Sequence, residues 1–181
     1  MTPVALDEPK MREALSRLDA LLPEGSSTRL VVGGGAAMVL AYAHPLATQD
    51  IDAFAAKGGL SLGELDAGAK KVAAAMGIAP DWLNGHFVTF THVLPVDYAT
   101  RLRRVFDGAR LVVDALGPED LLVMKCFAAR DKDRPHAIRL ARLADDLGVV
   151  DRQLDLLVSK RIPGAQRAAD YFDDLRDELD L

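Results

Sequence analysis

Between Val31 and Phe54 the chain reads VVGGGAAMVLAYAHPLATQDIDAF. An apolar run, TRLVV, ends in three glycines. A stretch of small apolar residues follows, and then Asp50 and Asp52 flank Ile51. This order constrains the fold more than any other stretch. A short run of β-branched and aliphatic residues bounded by glycine reads as a buried strand. The alanine-rich AAMVLAYAH suits a helix packed back on that strand, and Pro45 ends it. TQDIDAFAA then alternates, so on a second strand both carboxylates share one face while Ile51 and Ala53 turn to the other. Two like charges held that close are unfavourable unless a cation lies between them.

The rest of the chain surrounds this hairpin-like unit with helices. Met11, Leu15, Leu18 and Leu22 form an apolar stripe over 8–22, ended by Pro23 and Gly25. A helix is expected from Ser61. HFVTFTHVL and ARLVVDAL read as further β-rich runs. GPEDLLVMKCFAARDK predicts a helix with Pro118 in its first turn and Glu119 and Asp120 near its positive end. Helices are expected near 134–147, 151–160 and 164–179. The fold class is therefore α/β (α+β): a mixed β-sheet flanked by helices, followed by a C-terminal helical segment. The weak boundary DDLGVVD divides a domain over 1–147 from a helical extension over 148–181.

Composition narrows the function. The 181 residues carry 22 Lys and Arg against 27 Asp and Glu, a formal charge of −5. That balance opposes broad binding to a nucleic-acid backbone, which needs a basic face. One cysteine, Cys126, permits no intrachain disulfide and fits a reducing compartment. The start MTPVALDEPKMREAL lacks the apolar core of a secretory signal, and no run reaches the ~20 apolar residues of a membrane span. A cytoplasmic protein is the expectation.

Paired aspartates beside a glycine turn suit a hard cation such as Mg²⁺, with Mn²⁺ as the alternative. Such an ion takes carboxylate oxygens and leaves positions for substrate phosphates. Glycines and helix N-termini let backbone N–H groups approach those phosphates. Together they describe a site for a nucleoside triphosphate and a metal.

At these residues the sequence resembles the nucleotidyltransferase superfamily, which includes the DNA polymerase β-like enzymes. Gly34 and Gly35 stand at its glycine turn, and Asp50 and Asp52 at its Asp-x-Asp. The stretch looks like the minimal bacterial branch that includes abortive-infection-type toxins, with Thr48 in the threonine position before the aspartates. PEDLLVMKCFAARDKDRPHAIRL is similar to that branch's downstream helix, with Lys125, Arg130, Lys132 and Asp133 in order. The resemblance covers roughly residues 28–147. It implies Asp50 and Asp52 as metal ligands and catalytic carboxylates, and Gly34, Gly35 and Thr48 at the nucleotide. It also implies Lys125 as a catalytic residue reaching the triphosphate, with Arg130 and Asp133 as nucleotide-binding residues at the edge of the site. The implied activity is transfer of a nucleoside monophosphate from an NTP to a hydroxyl of a tRNA, protein or small molecule. The protein would then be one half of a toxin–antitoxin pair, with a cognate antitoxin as partner.

The sequence departs from the pattern in four places. The Gly35–Asp50 loop is longer, Leu46 replaces an arginine, His136 replaces an acid, and no third carboxylate is evident, Asp97 and Asp114 being the candidates. These departures favour an alternative, a degenerate fold member that binds nucleotide or protein without turnover. A third option is an antibiotic-modifying enzyme whose acidic C-terminal helices hold a cationic substrate. Among the remaining residues, Arg101, Arg103, Arg104 and Arg110 read as a solvated basic segment. His86 and His92 read as strand-end histidines, Trp82 as core, and Cys126 as a buried inert thiol.

Overall fold

The computed structural model describes residues 3–45 and 47–181; Leu46, one of the departures noted above, lies outside the described residues. The chain forms two compact units. The first comprises Met1–Thr89 and Leu102–Leu116, the second Phe90–Arg101 and Gly117–Leu181.

The first unit is a five-stranded mixed sheet with helices. Its elements are α1 (Glu8–Leu21), β1 (Thr28–Val32), α2 (Gly34–Tyr42), β2 (Ile51–Ala55), α3 (Leu62–Met76), β3 (Leu83–Asn84), β4 (Arg103–Asp107) and β5 (Leu111–Ala115). The strand order is β3-β2-β1-β5-β4. β1 pairs antiparallel with β2 and parallel with β5, so the sheet is mixed as expected. Each helix starts for a local reason. Asp7 caps α1 by accepting from the Lys10 N–H at 3.1 Å. Ser61 and Glu64 form a reciprocal capping box at α3, which satisfies two otherwise unpaired amides.

The two faces of the sheet differ. Thr28, Leu30, Val32, Ile51, Ala53, Leu111, Val113 and Ala115 alternate along their strands and are all buried. They form the core with α1, α2 and α3, whose buried positions include Met11, Leu15, Leu18, Met38, Leu65 and Val72. Trp82 is fully buried, and its indole N–H donates to the Ala69 carbonyl at 2.9 Å. The opposite face carries Arg29, Val31, Asp52, Phe54, Val112, Asp114 and Arg104, as the strand registers require. Arg29 and Arg104 are exposed there. The sheet thus has one apolar face and one face that mixes charged and apolar residues.

HFVTFTHVL is not a strand. His86–Val93 forms a 3₁₀ segment. Phe87 and Val93 are buried whereas Val88 and Phe90 are exposed, so the segment lacks the every-second-residue burial of a half-buried strand. β propensity describes fit to a pleated neighbour, and this segment joins no ladder in the sheet.

The second unit is helical: α4 (Pro118–Ala128), α5 (Arg134–Leu143), α6 (Gly148–Ser159) and α7 (Ala165–Leu179). α5, α6 and α7 all pack on α4, which is buried nearly throughout. Leu121, Leu122, Val123 and Phe127 meet Leu140, Leu154, Leu157, Phe172 and Leu175 in its core. The first-turn acids of α4 do more than favour its dipole. Buried Glu119 accepts from the backbone N–H groups of Asp145 and Asp146 at 2.8 and 3.3 Å. Buried Asp120 takes the Arg101 guanidinium in two bonds of 3.0 and 2.8 Å.

Candidate metal and nucleotide site

β1 ends at Val32, and Gly33 begins the turn into α2. The Gly33 N–H donates to the Asp52 carbonyl at 3.1 Å, which ties the turn to β2. Gly34 is the first residue of α2 and adopts φ +57°, a left-handed conformation that side chains disfavour. A β-carbon there would also stand 3.3 Å from Asp52 Oδ2. The backbone at Gly34 therefore favours glycine, and any side chain there would crowd the Asp52 carboxylate. The first amides of α2, at Gly34, Gly35 and Ala36, precede the first helical bond, Ala37 N–H to Gly33 C=O at 3.1 Å. They form the positive end of the helix, with the geometry that favours phosphate oxygens.

Asp52 lies on β2, opposite Asn84 of β3, and Asp50 lies two residues earlier, just outside the strand. Ile51 between them is fully buried, so the alternation read from the sequence holds. Thr48 is anchored by a two-way backbone bridge to buried Leu6, at 2.7 and 3.0 Å. Its hydroxyl donates to Asp50 Oδ1 at 3.2 Å. Asn84 Nδ2 donates to Asp50 Oδ2 at 3.0 Å, and Asn84 Oδ1 accepts the His86 backbone N–H at 2.9 Å. Both Asp50 oxygens are thus oriented by neutral donors.

Asp50, Asp52 and His86 each place one ligand atom within 4.8 Å of the others. Donors around one ion with bonds near ~2.1 Å stand ~3–4 Å apart, so small side-chain rotations suffice to hold a divalent cation. The donor set fits such an ion: two carboxylates supply charge, and an imidazole supplies a neutral lone pair. A strand reading of this segment passes over His86. The neighbouring Asn-Gly-His-Phe was the available signal. Phe87 is buried, packs 5.7 Å from the Phe54 ring and sits so close to Gly33 that a β-carbon there would lie 2.9 Å from it. That wedge holds His86 beside the aspartates.

Neither candidate for a third acid joins this cluster. Asp114 shares the sheet face of Asp52 but is buried. Its Oδ2 accepts from Arg29 Nε at 2.5 Å and its Oδ1 from Arg104 Nε at 2.7 Å. Asp97 belongs to the second unit, where it pairs with Arg101 at 2.9 Å.

Lys125, Arg130 and Asp133 meet in the second unit. Lys125 Nζ is buried and lies 2.7 Å from Asp133 Oδ1, and Arg130 Nε lies 2.6 Å from Oδ2. His136 Nδ1 is 3.6 Å from Asp133 Oδ1. Burial alone would raise the Asp133 carboxyl, but Lys125 and Arg130 outweigh it and hold the group below the usual carboxylate range. The basic segment is dispersed. Arg103 stacks 5.2 Å over the Tyr42 ring, and Arg110 Nη1 donates to the Leu22 carbonyl at 3.0 Å. Cys126 is buried, and desolvation pushes its thiol up to about 12, so it is inert as expected.

Residues 9–160 match a protein family described as "Nucleotidyltransferase of unknown function (DUF6036)". The chain belongs to this nucleotidyltransferase family. The family match spans the glycine turn, the paired aspartates, His86 and the Lys125–Asp133 pair. No curated protein and no solved structure matches the chain significantly. Among the described residues no helix is long and apolar enough to cross a membrane.

Proposed function

We propose that this nucleotidyltransferase-family protein binds an NTP with a divalent ion, Mg²⁺ or Mn²⁺, and transfers its nucleoside monophosphate to a hydroxyl acceptor, releasing pyrophosphate. The observation that carries the reading is the approach of Asp52 to Gly34, with Asp50 and His86 converging on the same point. The open backbone at Gly34, where the left-handed φ already favours glycine, also leaves the α2 amides approachable beside Asp52, which supports a phosphate and its cation there.

Each residue has a part. The α2 amides at Gly34 and Gly35 bind phosphate oxygens. Asp50, held by Thr48 and Asn84, and Asp52 place anionic oxygens beside them. A bound divalent ion supplies charge neutralisation and alignment for in-line attack. Lys125 and Arg130 direct their charge to Asp133. We read these three as fixing the turn after α4 rather than as direct triphosphate contacts.

The acceptor classes remain an RNA end, a protein side chain or a small molecule. Resemblance to abortive-infection-type enzymes supports a cytoplasmic toxin with an antitoxin partner. Toxicity on expression, lost with Asp50→Ala, tests that role. The test of the activity itself uses purified protein, labelled NTPs, Mg²⁺ or Mn²⁺ and cell extract. Label should enter one acceptor and vanish with Asp50→Asn or Asp52→Asn. Transfer that persists in both variants would defeat the site assignment. The arginine-bound Asp114 favours a second reading, a nucleotide-binding module without turnover, which predicts NTP binding and no label.

A further inference from the structure

We propose that His86 is a direct metal ligand, standing where an all-oxygen site would use a third carboxylate, and that it biases the site toward first-row transition ions such as Mn²⁺ over Mg²⁺. The inference rests on the metal-dependent reading above and specifies which ion that site selects. Three observations carry it. An imidazole nitrogen lies within 4.8 Å of an oxygen of each aspartate. The ring is delivered there by construction: Asn84 binds the His86 N–H with one end of its amide and Asp50 with the other, and buried Phe87 wedges between Gly33 and Phe54. Asp114, the acid on the same sheet face, has an arginine on each oxygen, so ligating an ion would compete with both of those pairs.

The selectivity follows from donor chemistry. Mg²⁺ takes oxygen ligands and gains little from imidazole, whereas first-row divalent ions accept nitrogen readily. Two carboxylates bind both classes, and the third ligand decides between them. Asn84 is a positioning residue, since it holds the His86 backbone and one carboxylate in a single frame, much as outer-shell partners orient metal ligands.

The test uses the full chain and Mn²⁺ alone, followed by electron paramagnetic resonance, with and without a non-hydrolysable ATP analogue. Spin-echo modulation of the bound Mn²⁺ should show a directly coordinated nitrogen, and growth on ¹⁵N-histidine should change the nuclear frequency. His86→Gln should remove that signal and weaken Mn²⁺ about 10-fold or more, while changing Mg²⁺ competition by less than about 3-fold. His86→Asp should restore binding without nitrogen coupling and swing preference toward Mg²⁺. The exposed position of His86 makes these variants tolerable to the fold, and circular dichroism checks it. Bound Mn²⁺ without nitrogen coupling, or coupling that survives His86→Gln, overturns the assignment and leaves nucleotidyl transfer standing. Failure to hold Mn²⁺ in either condition overturns both.

Discussion

Gly34→Ala separates the structural from the functional demand at the glycine turn. At φ +57° an alanine incurs the left-handed penalty, about 1–2 kcal/mol. Its β-carbon would also stand 3.3 Å from Asp52 Oδ2, so the carboxylate must give by a few tenths of an ångström. Gly77 supplies the control. It caps α3 at φ +67°, and a β-carbon added there would meet nothing within 4 Å, so Gly77→Ala carries the backbone cost alone. Both variants should lower stability by about 1–2 kcal/mol in urea, or Tm by roughly 2–8 °C. Only Gly34→Ala should also weaken Mn²⁺ binding, by about 10-fold, because it moves a ligand. Urea titration and Mn²⁺ paramagnetic titration on the two proteins read both effects. Equal metal affinity in Gly34→Ala and Gly77→Ala would refute the claim that this glycine is kept open for the carboxylate.

Asn84→Ala should leave stability within about 1 kcal/mol yet weaken Mn²⁺ about 10-fold, since it frees both Asp50 and the His86 segment; isothermal titration would show it. Lys125→Met should cost stability, because it removes the Nζ that lies 2.7 Å from buried Asp133, but should leave the KM for NTP unchanged; a rise in KM with normal stability would make Lys125 a direct phosphate contact. The Asp133 carboxyl is depressed in the folded chain, so its contribution is present above the ordinary carboxylate value of 3.8 and is lost as pH falls through the folded value. Acid titration of stability should therefore be shallower below about pH 4 in Asp133→Asn than in the native protein.

The hairpin-like unit at the centre of the site was legible because its signals are local. Glycine after valine fixes a turn, and Asp-Ile-Asp fixes two faces by period two, so β1, α2 and β2 fall where the pattern puts them. Ser61 with Glu64, and Pro118 with its acids, mark helix starts for the same reason. What stayed hidden depends on tertiary context. His86–Val93 carries strong β formers, yet joins no ladder and winds into a 3₁₀ segment around the buried Phe87. β4 was masked by arginines, whose partners Asp114 and Tyr42 lie 10 and 61 residues away in sequence. The candidate cluster of Asp50, Asp52 and His86 is assembled by the parallel pairing of β2 and β3, which brings Asn84 onto Asp50 across 34 residues, and no spacing rule in the chain announces it.

Asp114 is the decisive residue for how many acids the site commands. It lies two strands from β2 on the face that carries Asp52, roughly 10 Å away by strand spacing, and it is buried. A buried carboxylate must be paired or neutral, and here Arg29 and Arg104 take one oxygen each. Moving it onto a metal would strip both bonds and leave two guanidiniums facing a cation. The arginines are half exposed, so the pair's worth is discounted by solvent, and Asp114→Asn should cost about 1–3 kcal/mol. If Asp114 is an anchor for the arginines, this variant leaves Mn²⁺ affinity within about 2-fold, whereas Asp52→Asn lowers it by more than about 10-fold. Calorimetric titration of the two variants distinguishes them. A loss in Asp114→Asn matching that in Asp52→Asn would mean the arginines release the carboxylate when the ion arrives, and the site would then be a three-acid one with His86 at its margin.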